Sequence, residues 1–399
     1  MSLQSTPEKS DSVYNLQFVL VCTSSFLFSA SFNMLIPELP SYLTSLGGAE
    51  YKGLIIALFT LTAGISRPFS GKLTDTIGRV PVMAIGSLVC FFCGFLYPVL
   101  TTVAGFLLLR LIHGFSTGFK PTATAAYVAD LIPVQRWGEA MGIHGLFFST
   151  GMAIGPAIGS WITGHFSINV LFYCSSVFAL LSIAILMNMK ETLQSKQRFH
   201  PSLLKINRKD IIDTRALPSA IITFLCYISY GALLTIISDW SLHLGVTNKG
   251  LFFMVFTIAS LLIRFLAGKV SDRHGRIVVL KVSISLLVIS LIAIGLAQSA
   301  FALMAASALY GVSTGMLSPT VSAWTVDLSH PEQRGKAMAT MYIALEAGIG
   351  LGALLAGWLF IDQISMIPVT FYICAGITVL ALLYLMVNFP KNKPVAQSQ

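Results

Sequence analysis

Residues Gly71–Arg79 read Gly-Lys-Leu-Thr-Asp-Thr-Ile-Gly-Arg, a polar stretch between two long apolar segments, and Gly268–Arg276 read Gly-Lys-Val-Ser-Asp-Arg-His-Gly-Arg in the same setting. Gly71, Lys72, Asp75, Gly78 and Arg79 recur 197 positions later as Gly268, Lys269, Asp272, Gly275 and Arg276. Arg67, just before the first stretch, recurs at that offset as Arg264. An internal repeat of this length decides the architecture ahead of any single segment. The chain is two copies of one unit, and these loops mark equivalent points in each.

Charged residues are 10% of the 399, against roughly 25% in a soluble domain. Apolar residues make up 55%, and mean hydropathy is +0.80. Such a chain cannot build a water-facing surface, so its class is a polytopic membrane protein with the lipid bilayer as a partner. The net charge of +9 fits basic cytoplasmic loops, and no nucleic-acid partner is expected. All six cysteines fall in apolar segments and read as small core residues rather than disulfides or metal ligands. Cys90 and Cys93 form a C-x-x-C without redox context. The polar N-terminus is followed by an apolar run lacking a small-residue cleavage site, so that run reads as a retained helix.

A helix crosses the hydrocarbon core with about 20 apolar residues. Twelve stretches qualify, near 16–38, 53–70, 81–100, 104–128, 139–162, 168–188, 217–238, 250–267, 277–297, 300–324, 337–360 and 366–388. Lipid leaves the backbone of an open strand unsatisfied, and no barrel alternation is present, so all twelve are predicted helices. The stretch 189–216 carries Lys190, Lys196, Arg198, Lys205, Arg208, Lys209 and Arg215, whereas the opposite loop face has Lys52 and Lys249. That asymmetry puts 189–216 and both termini in the cytoplasm. The expected division is a cytoplasmic tail at 1–15, six helices over 16–188, a basic linker at 189–216, six helices over 217–388 and a cytoplasmic tail at 389–399. Trp161, Trp240 and Trp358 fall at predicted outer helix ends and read as interface anchors.

The two loops resemble the signature of the major facilitator superfamily, and with twelve helices in two halves the resemblance covers essentially the whole chain. It implies an all-α fold of two pseudo-symmetric six-helix halves. It also implies a cytoplasmic latch built on Gly71, Asp75, Gly78, Arg79, Gly268, Asp272, Arg273, Gly275 and Arg276. In that latch each aspartate sits at the positive N-terminus of a helix from the other half, held by its arginine. Thr76 and Val80 stand where the family pattern has basic residues.

Arg110-Leu-Ile-His113-Gly114 lies inside the fourth segment and resembles the arginine-glycine motif of proton-coupled members. An intramembrane arginine is costly, which makes function its default reading. Ser307 occupies the corresponding place in the second half, while Gly114 and Gly118 recur as Gly311 and Gly315. Gly151, Gly155, Pro156 and Gly159 in the fifth segment resemble the antiporter motif of exporters, with Ser160 at its usual closing glycine. Spaced glycines make a packing stripe, and the proline bends the helix. The second half keeps Gly348 and Gly352 but has Ala353 in place of the proline.

Glu346 lies deep in the eleventh segment where the first half has Ser149. A repeat-breaking charge at that depth costs at least ~2.5 kcal/mol on insertion scales, so Glu346 is the leading proton carrier, with Arg110 setting the charge balance. His113, Glu38 and Asp239 are further coupling candidates. Glu38, in Pro37-Glu38-Leu39-Pro40, is alternatively an outer-surface charge. Lys120 is either a cavity cation or a lysine reaching for cytoplasmic water. By the resemblance, Asn33, Arg110, Thr117, Tyr230 and Ser313 are candidate cavity positions. No phosphate loop, catalytic triad or metal-ligand cluster occurs, so neither an enzyme nor a cofactor nor ATP drive is expected.

These features predict a monomeric inner-membrane transporter, exchanging protons for a small-molecule substrate by alternating access in the direction of export. An importer of sugar, peptide or metal chelate on the same fold, and a non-transporting sensor or scaffold, are the alternatives.

Overall fold

In the computed structural model the described residues are 15–133, 136–193, 195–205, 212–330, 334–360 and 363–389, with backbone alone at 137–138, 202, 265–269 and 272. Their regular structure is entirely helical: α1 (Leu16–Asn33), α2 (Leu39–Ser45), α3 (Lys52–Thr76), α4 (Arg79–Leu96), α5 (Val103–Leu131), α6 (Trp137–His165) and α7 (Ile168–Met187). After the linker come α8 (Leu217–His243), α9 (Leu251–His274), α10 (Arg276–Leu296), α11 (Ala300–Leu328), α12 (Arg334–Phe360) and α13 (Met366–Asn388).

Twelve of these helices are long, and α2 is a short helix of 7 residues. Ten of the long helices are long and apolar enough to cross a membrane. The other two are α5, which holds Arg110, His113 and Lys120, and α9, whose described apolar part is Leu251–Arg264. The first helix is shorter than its predicted span. Pro37 disfavours helical geometry in the residue before it, so α1 ends at Asn33 and the chain turns before restarting as α2 with Pro40 in its first turn. The equivalent α8 has no proline there and runs unbroken to His243.

The repeat is visible in the packing. Gly78 and Gly275 both have positive φ, at 126° and 88°, and each turns the chain from one helix directly into the next. A side chain at that φ is strained, which accounts for glycine in both copies. Gly114 of α5 lies against the Phe59 carbonyl of α3, and Gly311 of α11 lies against the Phe256 carbonyl of α9. A Cβ on either would collide with that oxygen, so these glycines set how closely the helices approach.

Within the first half α1 packs on α6 and α7, and α5 on α3 and α4; in the second, α8 packs on α12 and α13, and α11 on α9 and α10. The halves meet along two seams, α3 with α12 and α6 with α9. Five cysteines are buried and Cys174 is half-buried, all of them free. Trp161 and Trp358 are exposed at helix ends, but Trp240 is 7% exposed. Its indole Nε1 donates to the Ile294 carbonyl at 3.1 Å, so Trp240 is a packing residue between α8 and α10 and not an interface anchor.

Candidate functional site

The signature loops lie at one end of the bundle, and at the opposite end the halves are tied together by charge. Lys52 Nζ meets Asp239 Oδ2 at 3.3 Å, and Lys249 Nζ meets Glu38 Oε2 at 3.0 Å. Each pair joins the first half to the second. Ser160 Oγ donates to Glu38 Oε1 at 2.7 Å and accepts from Gly250 N at 3.1 Å. Asn248 Nδ2 donates to the Ala157 carbonyl at 3.0 Å, and Gly250 lies directly against the Pro156 carbonyl. The turn after the α6 proline is therefore where α9 docks. Gly151, Gly155 and Gly159 face α1 in the same half, against Ala30 and Met34.

Midway along the α3–α12 seam, Arg67 Nη2 and Glu346 Oε1 stand 2.6 Å apart. The Arg67 guanidinium also lies over the Tyr342 ring, 4.9 Å from its centroid. Its Nε is buried with no hydrogen-bond partner among the described residues. Glu346 was expected to be balanced by Arg110; its partner is Arg67. The cue was in the sequence, because Arg67 precedes the repeated loop, but its presence in both copies made it read as part of the signature.

At the α6–α9 seam is a cavity of about 120 Å³. Tyr227 and Tyr230 of α8, Phe256 and Arg264 of α9, Tyr310 of α11 and Met152 of α6 form much of its wall. Of the five expected cavity positions, Tyr230 lines it and the other four do not. Asn33 is buried and donates to the Ser29 carbonyl at 2.8 Å. Ser313 donates to the Tyr310 carbonyl at 2.8 Å, and Thr117 to the Gly114 carbonyl at 3.1 Å. Arg110 is buried inside the first half, over the Phe59 ring, with Nε donating to the Ile55 carbonyl at 2.9 Å. Its repeat mate Ser307 donates to the Phe252 carbonyl at 2.7 Å, the equivalent acceptor. One hydrogen bond of Arg110 thus belongs to the fold, and a serine can supply it.

His113 shares hydrogen bonds with the Tyr97 hydroxyl (3.1 Å) and the Cys90 thiol (3.3 Å). Lys120 does not reach water. It is fully buried, with Nζ held by Ser24, Ser87 and Ser182 and over the Phe28 ring at 4.9 Å. Serines of α1, α4 and α7 converge on it, which no local pattern announces.

At the signature-loop end, Arg79 ties its own half together. Nε meets Asp130 at 3.0 Å, and Nη1 meets Asp75 at 3.0 Å and the Thr74 carbonyl at 2.5 Å. Arg276 Nε meets Asp327 at 3.0 Å, the same arrangement one repeat on. Gly71 lies in α3, Gly275 caps α9, and Arg273 is exposed. The side chain of Asp272, and Gly268 beyond its backbone, lie outside the described residues. The acid at the N-terminus of α4 is Glu191 of the linker, which accepts from the Arg79 and Val80 amides, each at 3.0 Å. Sequence reading missed Asp130, Asp327 and Glu191; the first two share the 197-residue offset and could have been found by it.

Two six-helix halves, joined by ion pairs and holding a cavity walled mostly by the second, fit a multi-pass membrane transporter with a small-molecule substrate. A profile of the Major Facilitator Superfamily matches residues 21–217 and 219–399, and the chain belongs to that family. It is 25% identical over 388 residues to the quinolone resistance protein NorA of Staphylococcus aureus (strain Mu50), covering 94% of this chain and 97% of that one. It is 30% identical over 184 residues to multidrug resistance protein 2 of Bacillus subtilis (strain 168), a match spanning 45% of this chain and 46% of that protein. The crystal structure of the human organic anion transporter MFSD10 (TETRAN) superposes with a TM-score of 0.72 at 20% identity, covering 95% of this chain and 100% of that one. That likeness is one of fold alone.

Proposed function

We propose that the protein is a proton-coupled exporter of small organic molecules, working by alternating access in the inner membrane with both termini in the cytoplasm. The observation that carries this reading is the Arg67–Glu346 pair across the α3–α12 seam. Glu346 is an intramembrane acid that breaks the repeat, and it is bonded to the opposite half. Taking up a proton on Glu346 abolishes the attraction and frees the seam; losing the proton restores it. With the signature loops cytoplasmic, the closed far-end ion pairs support an inward-facing reading of this conformation, in which Glu346 is paired. In that state a proton has left toward the cytoplasm and cargo can load, which is the order that antiport requires. The names of the relatives, multidrug and quinolone resistance proteins, support an outward direction for the cargo.

The test is quinolone-driven proton movement in everted vesicles. Glu346→Gln, whose amide mimics the protonated acid, is expected to lose uphill accumulation while keeping downhill exchange. Undiminished accumulation against a gradient by this variant would sink the coupling role.

A further inference from the structure

The two seams are related by the repeat: Arg67 corresponds to Arg264 and Glu346 to Ser149, both at an offset of 197. In the first seam the arginine and the acid are both present and bonded. In the second the arginine is kept and the acid is a serine. We propose that an anionic cargo supplies the missing carboxylate, so that the cavity selects organic anions with an aromatic or apolar body. This rests on the reading of the chain as a transporter of small organic molecules and names the class it carries.

Arg264 is solvent-exposed in the cavity wall and has no ion-pair partner among the described residues. No acidic residue is among those lining the cavity. Met152, which does line it, lies three residues after Ser149 and so shares its face of α6. Position 149 therefore belongs to the helix face that looks toward the cavity. A guanidinium offers a planar fork of donors that a carboxylate accepts two at a time. Around it, Tyr227, Tyr230, Phe256 and Tyr310 present aromatic surface suited to an aromatic body. A cationic cargo would meet Arg264 with no carboxylate in the cavity wall.

The test compares three probes with one aromatic body: 2-naphthoate, 2-naphthamide and (2-naphthylmethyl)trimethylammonium. Binding to the purified full chain in detergent is measured by calorimetry. The naphthoate is expected to bind at least about tenfold more tightly than the other two. Arg264→Gln is expected to weaken the naphthoate about tenfold, to the level of the amide, and Arg264→Lys to fall between. Ser149→Glu rebuilds the repeat's ion pair within the protein, so naphthoate binding is expected to vanish while the melting temperature holds or rises. That variant separates occupation of the arginine from misfolding. Three outcomes overturn the proposal: no saturable naphthoate binding at millimolar concentration, equal or tighter binding of the cation, or naphthoate binding unaffected by both Arg264→Gln and Ser149→Glu. The measurement uses no gradient, so its failure rejects the cargo class and leaves the Glu346 coupling test standing, and the reverse also holds.

Discussion

Along the α3–α12 seam an arginine and a glutamate meet at 2.6 Å; along the α6–α9 seam the corresponding arginine faces a cavity and the corresponding acid is Ser149. Elsewhere the halves agree closely. Gly114 and Gly311 accept the same carbonyl contact, Arg79–Asp130 and Arg276–Asp327 make the same loop anchor, and Arg110 and Ser307 donate to equivalent carbonyls. The difference teaches where each kind of constraint acts. Backbone approach and loop anchoring are needed twice, once per half, so the repeat keeps them. The mid-depth acid of the seam, Glu346, is present once and breaks the repeat, while its arginine is kept in both copies.

The largest expected effect comes from breaking the complete seam. Arg67→Ala leaves Glu346 buried without its cation, a change of about 3 kcal/mol or more for a buried pair. A drop in melting temperature is expected, together with loss of pH-dependent transport. Arg67→Met combined with Glu346→Leu removes both charges and is expected to recover most of the melting temperature without recovering coupling. If the double variant still drives uphill transport, the seam charge has no coupling role.

A smaller effect is expected at the far end, where two ion pairs of opposite order cross the halves: Lys52 and Glu38 come from the first, Asp239 and Lys249 from the second. Lys249→Gln removes the cation from the buried Glu38. A loss of 1–2 kcal/mol in this closed state shifts a population by a factor of roughly 5–30. Spin labels at Ser45 and Thr247, in a background without the native cysteines, are expected to report a longer-distance component. An unchanged distribution would show that backbone contacts such as Gly250 on Pro156 close this end without help from charge.

The architecture was readable because it is written locally and twice: apolar lengths give the helices, and the repeated loops give the halves. The deep acid was readable because Glu346 departs from its copy. Its partner was not, since Arg67 lies 279 residues away and looks like ordinary signature in both copies. Arg264 escaped for a related reason, because the change that exposes it is at position 149 and not at the arginine itself. Trp240 was misplaced since nearness to a helix end says nothing of which way a side chain faces. The short α2 was hidden by apolarity running through Pro37 and Pro40, where backbone geometry outweighs composition.

The smallest expected effect in this conformation is at Asp75, and it bears on whether the signature loops act within a half or between halves. Asp75 is 73% exposed on its side chain, and its ion pair here is with Arg79 in the same loop. Exposed pairs contribute about 0–1 kcal/mol, so Asp75→Asn is expected to leave the melting temperature nearly unchanged. Arg79→Ala is expected to lower it more, since Arg79 also holds Asp130 and the Thr74 carbonyl. A latch role would be invisible in such melts if Asp75 engages the opposite half only when the signature-loop end is closed. Its loss would then weaken that conformation alone and enrich the inward-facing one. Inter-half distances at the signature-loop end are therefore expected to lengthen in Asp75→Asn, and likewise in Asp272→Asn, under conditions that populate both states. Unmoved distances in both variants would confine the two aspartates to their own loops and leave closure of that end to other contacts between the halves.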